Sequence, residues 1–214
     1  MLPFGQRTVF HLTSSTPPCI TYEQGISPRH TLNVHDVDGE GKDWTVQGSV
    51  AKVSIYNSRN LVLRLPGRIV TSTVEIFNCD HLTVIIGSPP SPSATDETSP
   101  LGVLQLDPTI NDVTIQYASP SYVGSVVVAP DLSTSRTTHP TFGFSSLSLQ
   151  LGYAEPFLLF DAEGNLRDPS SPGTALSPAE PPSDLSRQLV LKLKGQRWTL
   201  EGLARGEKDY PQLS

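Results

Sequence analysis

Three stretches with the same apolar pattern decide the fold. They read VSIYNSRNLVLRL at 53–65, VEIFNCDHLTVII at 74–86 and LQLDPTINDVTIQY at 104–117. In each stretch two alternating apolar positions precede a short polar corner and three more follow it, which indicates strands with one buried face. The predicted inward residues are Val53, Ile55, Leu61, Leu63 and Leu65; Val74, Ile76, Leu82, Val84 and Ile86; and Leu104, Leu106, Val113, Ile115 and Tyr117.

The spacing of these stretches predicts a repeat architecture. The first two are 21 residues apart, from 53 to 74, and a loop rich in proline and serine at 88–100 lengthens the next interval. A repeat of about 20 residues with two short strands is typical of a β-solenoid, in which each coil buries its apolar face against its neighbours. An antiparallel β-sandwich is the alternative, since several short strands with turn signals also suit that fold.

The composition divides the chain into four parts. We expect an N-terminal extension at 1–40 that packs on the solenoid, a solenoid core at 41–152, a cover segment with a second Pro/Ser-rich loop at 153–187, and a C-terminal hairpin and tail at 188–214. The 20 prolines and 16 glycines leave few stretches long enough for an ordinary helix. The predicted fold class is therefore all-β.

Charge and composition argue against several function classes. The formal net charge is −6 and no Lys/Arg-rich run occurs, so we expect no nucleic-acid partner and no membrane binding. The sequence shows no signal peptide and no run near the ~18 apolar residues of a membrane span, which predicts a cytoplasmic protein. Cys19 and Cys79 are expected to be free thiols, and we expect no metal site and no cofactor.

Two similar segments contain both tryptophans, GKDWTVQG at 41–48 and GQRWTLEG at 195–202. Trp44 and Trp198 either form a paired ligand site or cap the two ends of an open apolar stack, and we favour the caps. Both tryptophans remain candidate binding residues. The second segment lies in QLVLKLKGQRWTLEGLA, whose alternation predicts a hairpin that turns near Lys194 and Gly195.

The chain resembles the C-terminal domain of cyclase-associated proteins and, more distantly, the tubulin-binding cofactor C family. The segments that carry this resemblance are GKDWTVQG, VSIYNSRNLVLRLPGRI, VEIFNCDHLTVII and LGVLQLDPTINDVTIQY, across roughly residues 40 to 130. The resemblance implies a right-handed β-helix, binding of actin monomers and a homodimer formed by exchange of the terminal hairpin. The Gln-x-Arg-x-His motif with which the cofactor C branch stimulates GTP hydrolysis is missing here.

Two function classes follow from these observations. The first is a non-catalytic protein-interaction module whose outer face uses Tyr56, Phe77 and Arg64 and whose protein partner, by the resemblance, is actin. The alternative is a small solenoid enzyme, such as an isomerase, cyclase or lyase, that acts on an apolar small molecule. In that case His35, Asp36 and Asp107 are the candidate acid and base groups.

One polar run within the second stretch looks reactive at first sight. Residues 78–81 read NCDH, which places an amide, a thiol, a carboxylate and an imidazole side by side. Asn78 and Cys79 occupy the positions that Asn57 and Ser58 occupy in the preceding repeat. The repeat therefore predicts that this run is a corner whose polar groups satisfy the turn backbone.

Overall fold

The computed structural model describes residues 8–88, 101–106, 109–128, 144–151, 157–160, 162, 188–194 and 197–203. Strands account for 66% of these residues, and no α-helix occurs among them. The strands are β1 (Thr8–Leu12), β2 (Cys19–Ile20), β3 (His30–His35), β4 (Asp38–Val46), β5 (Lys52–Tyr56), β6 (Arg59–Leu65), β7 (Thr73–Phe77), β8 (Cys79–Ile86), β9 (Val103–Leu106), β10 (Ile110–Tyr117), β11 (Ser125–Val128), β12 (Phe144–Leu151), β13 (Phe157–Phe160), β14 (Gln188–Lys194) and β15 (Arg197–Leu203). Two 3₁₀ turns lie at Tyr22–Gln24 and Pro120–Tyr122.

Successive strands from β1 to β12 alternate between two sheets. The eight-stranded sheet has the order β1-β3-β5-β7-β9-β11-β14-β15, and the seven-stranded sheet has the order β13-β12-β10-β8-β6-β4-β2. Pairing is parallel from β1 to β11 in the first sheet and from β2 to β12 in the second. Antiparallel pairing is confined to β11–β14, β14–β15 and β12–β13. The all-β prediction is confirmed, and the pairing is not that of an antiparallel sandwich.

The register of both sheets follows the sequence repeat. Val53 lies opposite Val74 in the eight-stranded sheet, and Leu63 lies opposite Val84 in the seven-stranded sheet. All fifteen residues predicted to point inward are buried, with 3% exposure or less. Because the same apolar positions meet at every level, the space between the sheets is filled by one continuous core.

The corner between the sheets contains residues with left-handed backbone at recurring positions. The first column consists of Asp36, Asn57 and Asn78, with φ of 55°, 52° and 50°. The second column lies near the start of the strands that follow the corner and consists of Asn60, His81, Asp112 and Ser146, with φ between 48° and 55°. Such φ values disfavour most side chains but are several-fold enriched in Asn, Asp and His.

A second corner brings two neighbouring repeats into close backbone contact near Val50 and Ile69. Val50 and Ile69 form an isolated parallel bridge, and the Val50 N–H donates to the carbonyl of Arg68. A Cβ on Gly67 would overlap the carbonyl group of Gly48 in the preceding repeat. Glycine is therefore required at position 67 by this close approach.

The sheets extend beyond the part of the sequence in which the repeat is visible. Residues 8–40, expected as an extension, contain β1, β2, β3 and the start of β4, all hydrogen-bonded into the sheets. Within the expected cover segment, β13 pairs with β12 and continues the seven-stranded sheet. The predicted hairpin is present as β14 and β15, with Lys194 opposite Arg197.

Substitution of Asn78 tests the first column of residues with left-handed backbone. We expect Asn78→Val to lower the free energy of unfolding by about 1–2 kcal/mol, because a β-branched residue tolerates positive φ poorly, whereas Asn78→Gly should be close to neutral. Urea unfolding of the purified variants measures both. Thr83→Val, at an ordinary strand position of β8, serves as the control and should change stability by less than about 0.5 kcal/mol. Equal losses for Asn78→Val and Asn78→Gly would contradict this account.

Candidate functional site

A column of stacked aromatic rings lies on the outer face of the eight-stranded sheet. His35, Tyr56 and Phe77 end β3, β5 and β7 and are register neighbours. The ring centroids of His35 and Tyr56 are 4.0 Å apart, and those of Tyr56 and Phe77 are 5.0 Å apart with an interplanar angle of 7°. Tyr56 and Phe77 are partly exposed. Tyr56 and Phe77, predicted to lie on the outer face, are therefore joined by His35 in a column of three rings, which we call the aromatic column.

Polar side chains flank the aromatic column on the same face. Asn33 donates through Nδ2 to the Tyr56 hydroxyl at 3.1 Å. Lys52 Nζ lies 2.6 Å from Glu75 Oε1, and the Ser54 hydroxyl donates to Glu75 at 3.4 Å. These contacts connect β3, β5 and β7, and the hydrogen bond from Asn33 holds the Tyr56 phenol in a defined direction. The aromatic column is thus preorganised by its neighbours.

The candidate acid and base groups are brought together in part. His35 Nε2 lies 2.8 Å from Asp36 Oδ2, and the side chains are 38% and 64% exposed. Asp36 owes its position to the left-handed backbone at the corner. The third candidate, Asp107, lies outside the described residues. His35 and Asp36 form a dyad that sequence adjacency alone could not establish, because neighbouring residues in a regular strand point to opposite faces.

The Asn-Cys corner has the structural role that the repeat predicts. Asn78 Nδ2 donates to Asn57 Oδ1 at 2.7 Å. Ser58 is buried, accepts from the Val37 N–H at 3.1 Å and donates to the Tyr56 carbonyl at 3.0 Å.

Cys79, in the equivalent position, is buried and its Sγ donates to the Phe77 carbonyl at 3.3 Å. Burial raises the pKa of the Cys79 thiol to about 11. A thiol in this state is a poor nucleophile near neutral pH, because the thiolate is the reactive form.

A polar cluster continues from this corner along the seven-stranded sheet. His81 Nδ1 lies 2.7 Å from Asp80 Oδ1, and His81 Nε2 lies 3.5 Å from Asp112 Oδ2. Asn111 donates to the same Asp80 oxygen at 2.7 Å. The cluster joins β8 to β10, and the apolar repeat of the sequence does not predict it.

Asp38 and Arg59 extend this cluster toward the start of the chain. Arg59 Nε donates to Asp38 Oδ2 at 2.8 Å, and Asn60 donates to Asp38 Oδ1 at 3.1 Å. The Asn60 amide, followed by the Glu40 N–H and the Arg59 guanidinium, lowers the pKa of Asp38. The recurrence of Asn, Asp and His at equivalent corner positions was the signal that could have revealed the whole cluster.

Arg64 lies on the outer face of the seven-stranded sheet. Its Nε and Nη2 donate to Asp43 Oδ2 at 2.9 and 2.7 Å, and it is the register neighbour of Ile85. Arg64 is therefore held by a carboxylate of the neighbouring strand, on a different sheet from the aromatic column.

The structure places both tryptophan rings in the core, on different sheets. Trp44 on β4 is 1% exposed, and its Nε1 donates to the Thr16 carbonyl at 3.0 Å. Trp198 on the edge strand β15 is 6% exposed and tilts against Tyr117 at a centroid distance of 6.5 Å. Trp44 lies one strand in from the edge, because β2 pairs beyond β4. The two rings are not brought together.

Within the described residues, no group of three or more His, Cys, Asp or Glu side chains is arranged to hold a metal ion. No helix in that part of the chain is long and apolar enough to cross a membrane.

Comparison of the chain with protein-family models, curated proteins and solved structures gives no match. The resemblance to cyclase-associated proteins therefore rests only on the sequence segments quoted for it above.

Thiol labelling distinguishes the two cysteines. At about pH 8 the thiolate fraction of Cys79 is on the order of 10⁻³, so we expect iodoacetamide to modify exposed Cys19 rapidly and to leave Cys79 unmodified in the folded protein. Mass spectrometry of the intact protein counts the labels. Cys19→Ser should abolish rapid labelling, and unfolding in urea should restore one label. Rapid labelling of Cys79 in the folded protein would show a reactive thiol and contradict its structural role.

Proposed function

We propose that the chain is a non-catalytic protein-interaction module built on a right-handed β-solenoid. Its two sheets are then the faces of coils of about 20 residues, and β14 and β15 form a terminal hairpin on the last coil. The alternation of strands between the sheets and the 21-residue separation of hydrogen-bonded neighbours support this architecture.

The observation that carries the binding role is the aromatic column. Its rings provide apolar surface that is partly exposed and already ordered, so a partner does not have to fix their rotamers on binding. Aromatic side chains with such preorganisation are frequent energetic centres of protein interfaces. We therefore propose the outer face of the eight-stranded sheet as the docking surface.

The family resemblance gives this proposal its first partner to test. Cyclase-associated proteins bind actin monomers, so actin is the protein partner we propose for the aromatic column. By the same resemblance we propose a cytoplasmic location and a homodimer through the terminal hairpin. Within one chain, that hairpin pairs antiparallel with β11 through Val126, Val127 and Val128.

The His35–Asp36 dyad favours catalysis as a second candidate function. A carboxylate 2.8 Å from a partly exposed imidazole is an arrangement used in general base catalysis. However, His35 also stacks on Tyr56, and Asp36 occupies a corner position where the backbone itself favours Asp. Both side chains thus have a structural explanation, and we prefer the interaction role.

Removal of the aromatic column tests the proposed function. We expect Tyr56→Thr/Phe77→Thr to weaken actin binding at least about tenfold, because truncation of an aromatic hot spot costs about 2 kcal/mol or more. Threonine is β-branched and therefore well suited to a strand position, so the fold should persist. Binding of purified monomeric actin to the immobilised protein gives the dissociation constants.

Ile85→Thr is the matched control for this experiment. It removes partly exposed apolar surface from the outer face of the seven-stranded sheet and should leave actin binding unchanged. A wild-type protein that retains no actin would refute actin as the partner. Equal weakening by the double variant and by Ile85→Thr would refute the aromatic column as the docking surface.

A further inference from the structure

The two ends of the eight-stranded sheet are covered differently. At one end the terminal hairpin pairs with β11, and Leu191 of β14 lies opposite Val126. At the other end β1 pairs with β3 on one side, and none of the described strands pairs with its other side. Strand β1 is therefore an edge strand of the part of the chain that the structure describes.

Phe10 marks the place where the core reaches this edge. It is the first of a row of inward side chains that runs through the parallel strands of the sheet. The later members of this row are all 0% exposed, namely Leu32, Val53, Val74, Leu104 and Val126. Phe10 packs against the same core but remains partly exposed, and its neighbour Val9 is 45% exposed. The apolar row therefore reaches solvent at β1.

Strand β1 lacks the features by which edge strands avoid further pairing. Its sequence, TVFHL, contains no charged residue, proline or glycine, and it is rich in residues that favour strands. The other three edges of the described sheets are protected. Strand β2 has two residues and follows two prolines, β13 pairs across a bulge, and β15 contains Arg197 and Glu201. Strand β1 is thus the edge best suited to accept another strand.

A second copy of β1 fits this edge. In an antiparallel arrangement about a two-fold axis at Phe10, that ring lies opposite its equivalent, Val9 lies opposite His11, and Thr8 lies opposite Leu12. Charged side chains do not oppose one another across this pairing, although each chain has a net charge of −6. The two Phe10 rings cover each other, so a single contact buries the exposed end of the core in both copies.

We propose that two copies of the chain associate by antiparallel pairing of their β1 strands, which joins the two eight-stranded sheets into one. The interface lies at the opposite end of the sheet from the terminal hairpin. Opposite residues of an antiparallel pair point to the same face, so the joined sheet presents both aromatic columns on one side. This inference goes beyond the proposed function and does not depend on actin as the partner.

Charges introduced at positions 9 and 11 test both the pairing and its direction. We expect Val9→Glu/His11→Glu to weaken self-association at least about tenfold, because each glutamate then lies opposite a glutamate of the other copy. Val9→Lys/His11→Glu should restore association to within about threefold of the wild type, since each lysine then lies opposite a glutamate. Both positions are exposed in the single chain, so both variants should fold. Sedimentation velocity over a dilution series of the full chain gives the dissociation constants.

Val70→Glu/Leu158→Glu is the matched control. It also replaces two exposed side chains with glutamate, but Val70 lies in a turn and Leu158 lies in the seven-stranded sheet. We expect it to change the dissociation constant less than about twofold, because neither position contacts β1 of the other copy. Circular dichroism of all three variants checks that the strands persist.

Three results would overturn the β1 interface. The first is a wild-type chain that stays monomeric at the highest concentration, whatever other segment or partner then covers the edge. The second is self-association that Val9→Glu/His11→Glu leaves unchanged, which would assign it to another surface such as the terminal hairpin. The third is equal weakening by both β1 variants, because antiparallel pairing about Phe10 requires the lysine variant to recover. An assembly that also uses the hairpin should fall to half its mass in the glutamate variant.

Discussion

Positive φ at two recurring positions is the constraint on which the rest of the structure depends. In a regular strand inward residues are two positions apart, but Ile55, Ser58 and Leu61 are three apart and all are buried. The left-handed residues Asn57 and Asn60 occupy the intervals and let the chain pass from one sheet to the other without exposing the core. Each such residue costs roughly 1–2 kcal/mol in backbone energy unless its side chain suits the conformation.

The same constraint explains why a reactive-looking run is structural. In the run at 78–81, Asn78 and His81 are the two left-handed residues, Cys79 points inward and Asp80 points outward. Their identities follow from backbone conformation and burial, which are enough to place four different polar groups side by side. Function is better sought in a feature that this requirement does not explain, namely the stacked rings of the aromatic column.

Much of the sheet structure could be predicted from the sequence, because register in a parallel stack follows directly from the repeat. The alternation predicted the buried residues and placed Tyr56 beside Phe77. The repeat was not visible before residue 41, because β4 shifts register between Asp38 and Lys42 and its first half is polar. The sheets nevertheless begin at β1. The first strands therefore pair in parallel although the apolar repeat in their own sequence is weak.

The candidate site was predictable only where it follows a straight strand. The aromatic column obeys the strand register, and His35 joins it as one more member of the same series. The dyad of His35 with Asp36 and the contact of His81 with Asp112 depend on left-handed turns, whose direction is not encoded in spacing. Contacts across turns therefore had to be taken from the structure.

Nuclear Overhauser contacts between backbone protons of the labelled protein test the central claim most directly. The account predicts contacts between strands 21 residues apart, such as Ile55 with Ile76 and Leu63 with Val84, in both sheets. Contacts that instead pair β5 with β6 and β7 with β8 as antiparallel hairpins would contradict the account, together with the aromatic column that depends on it.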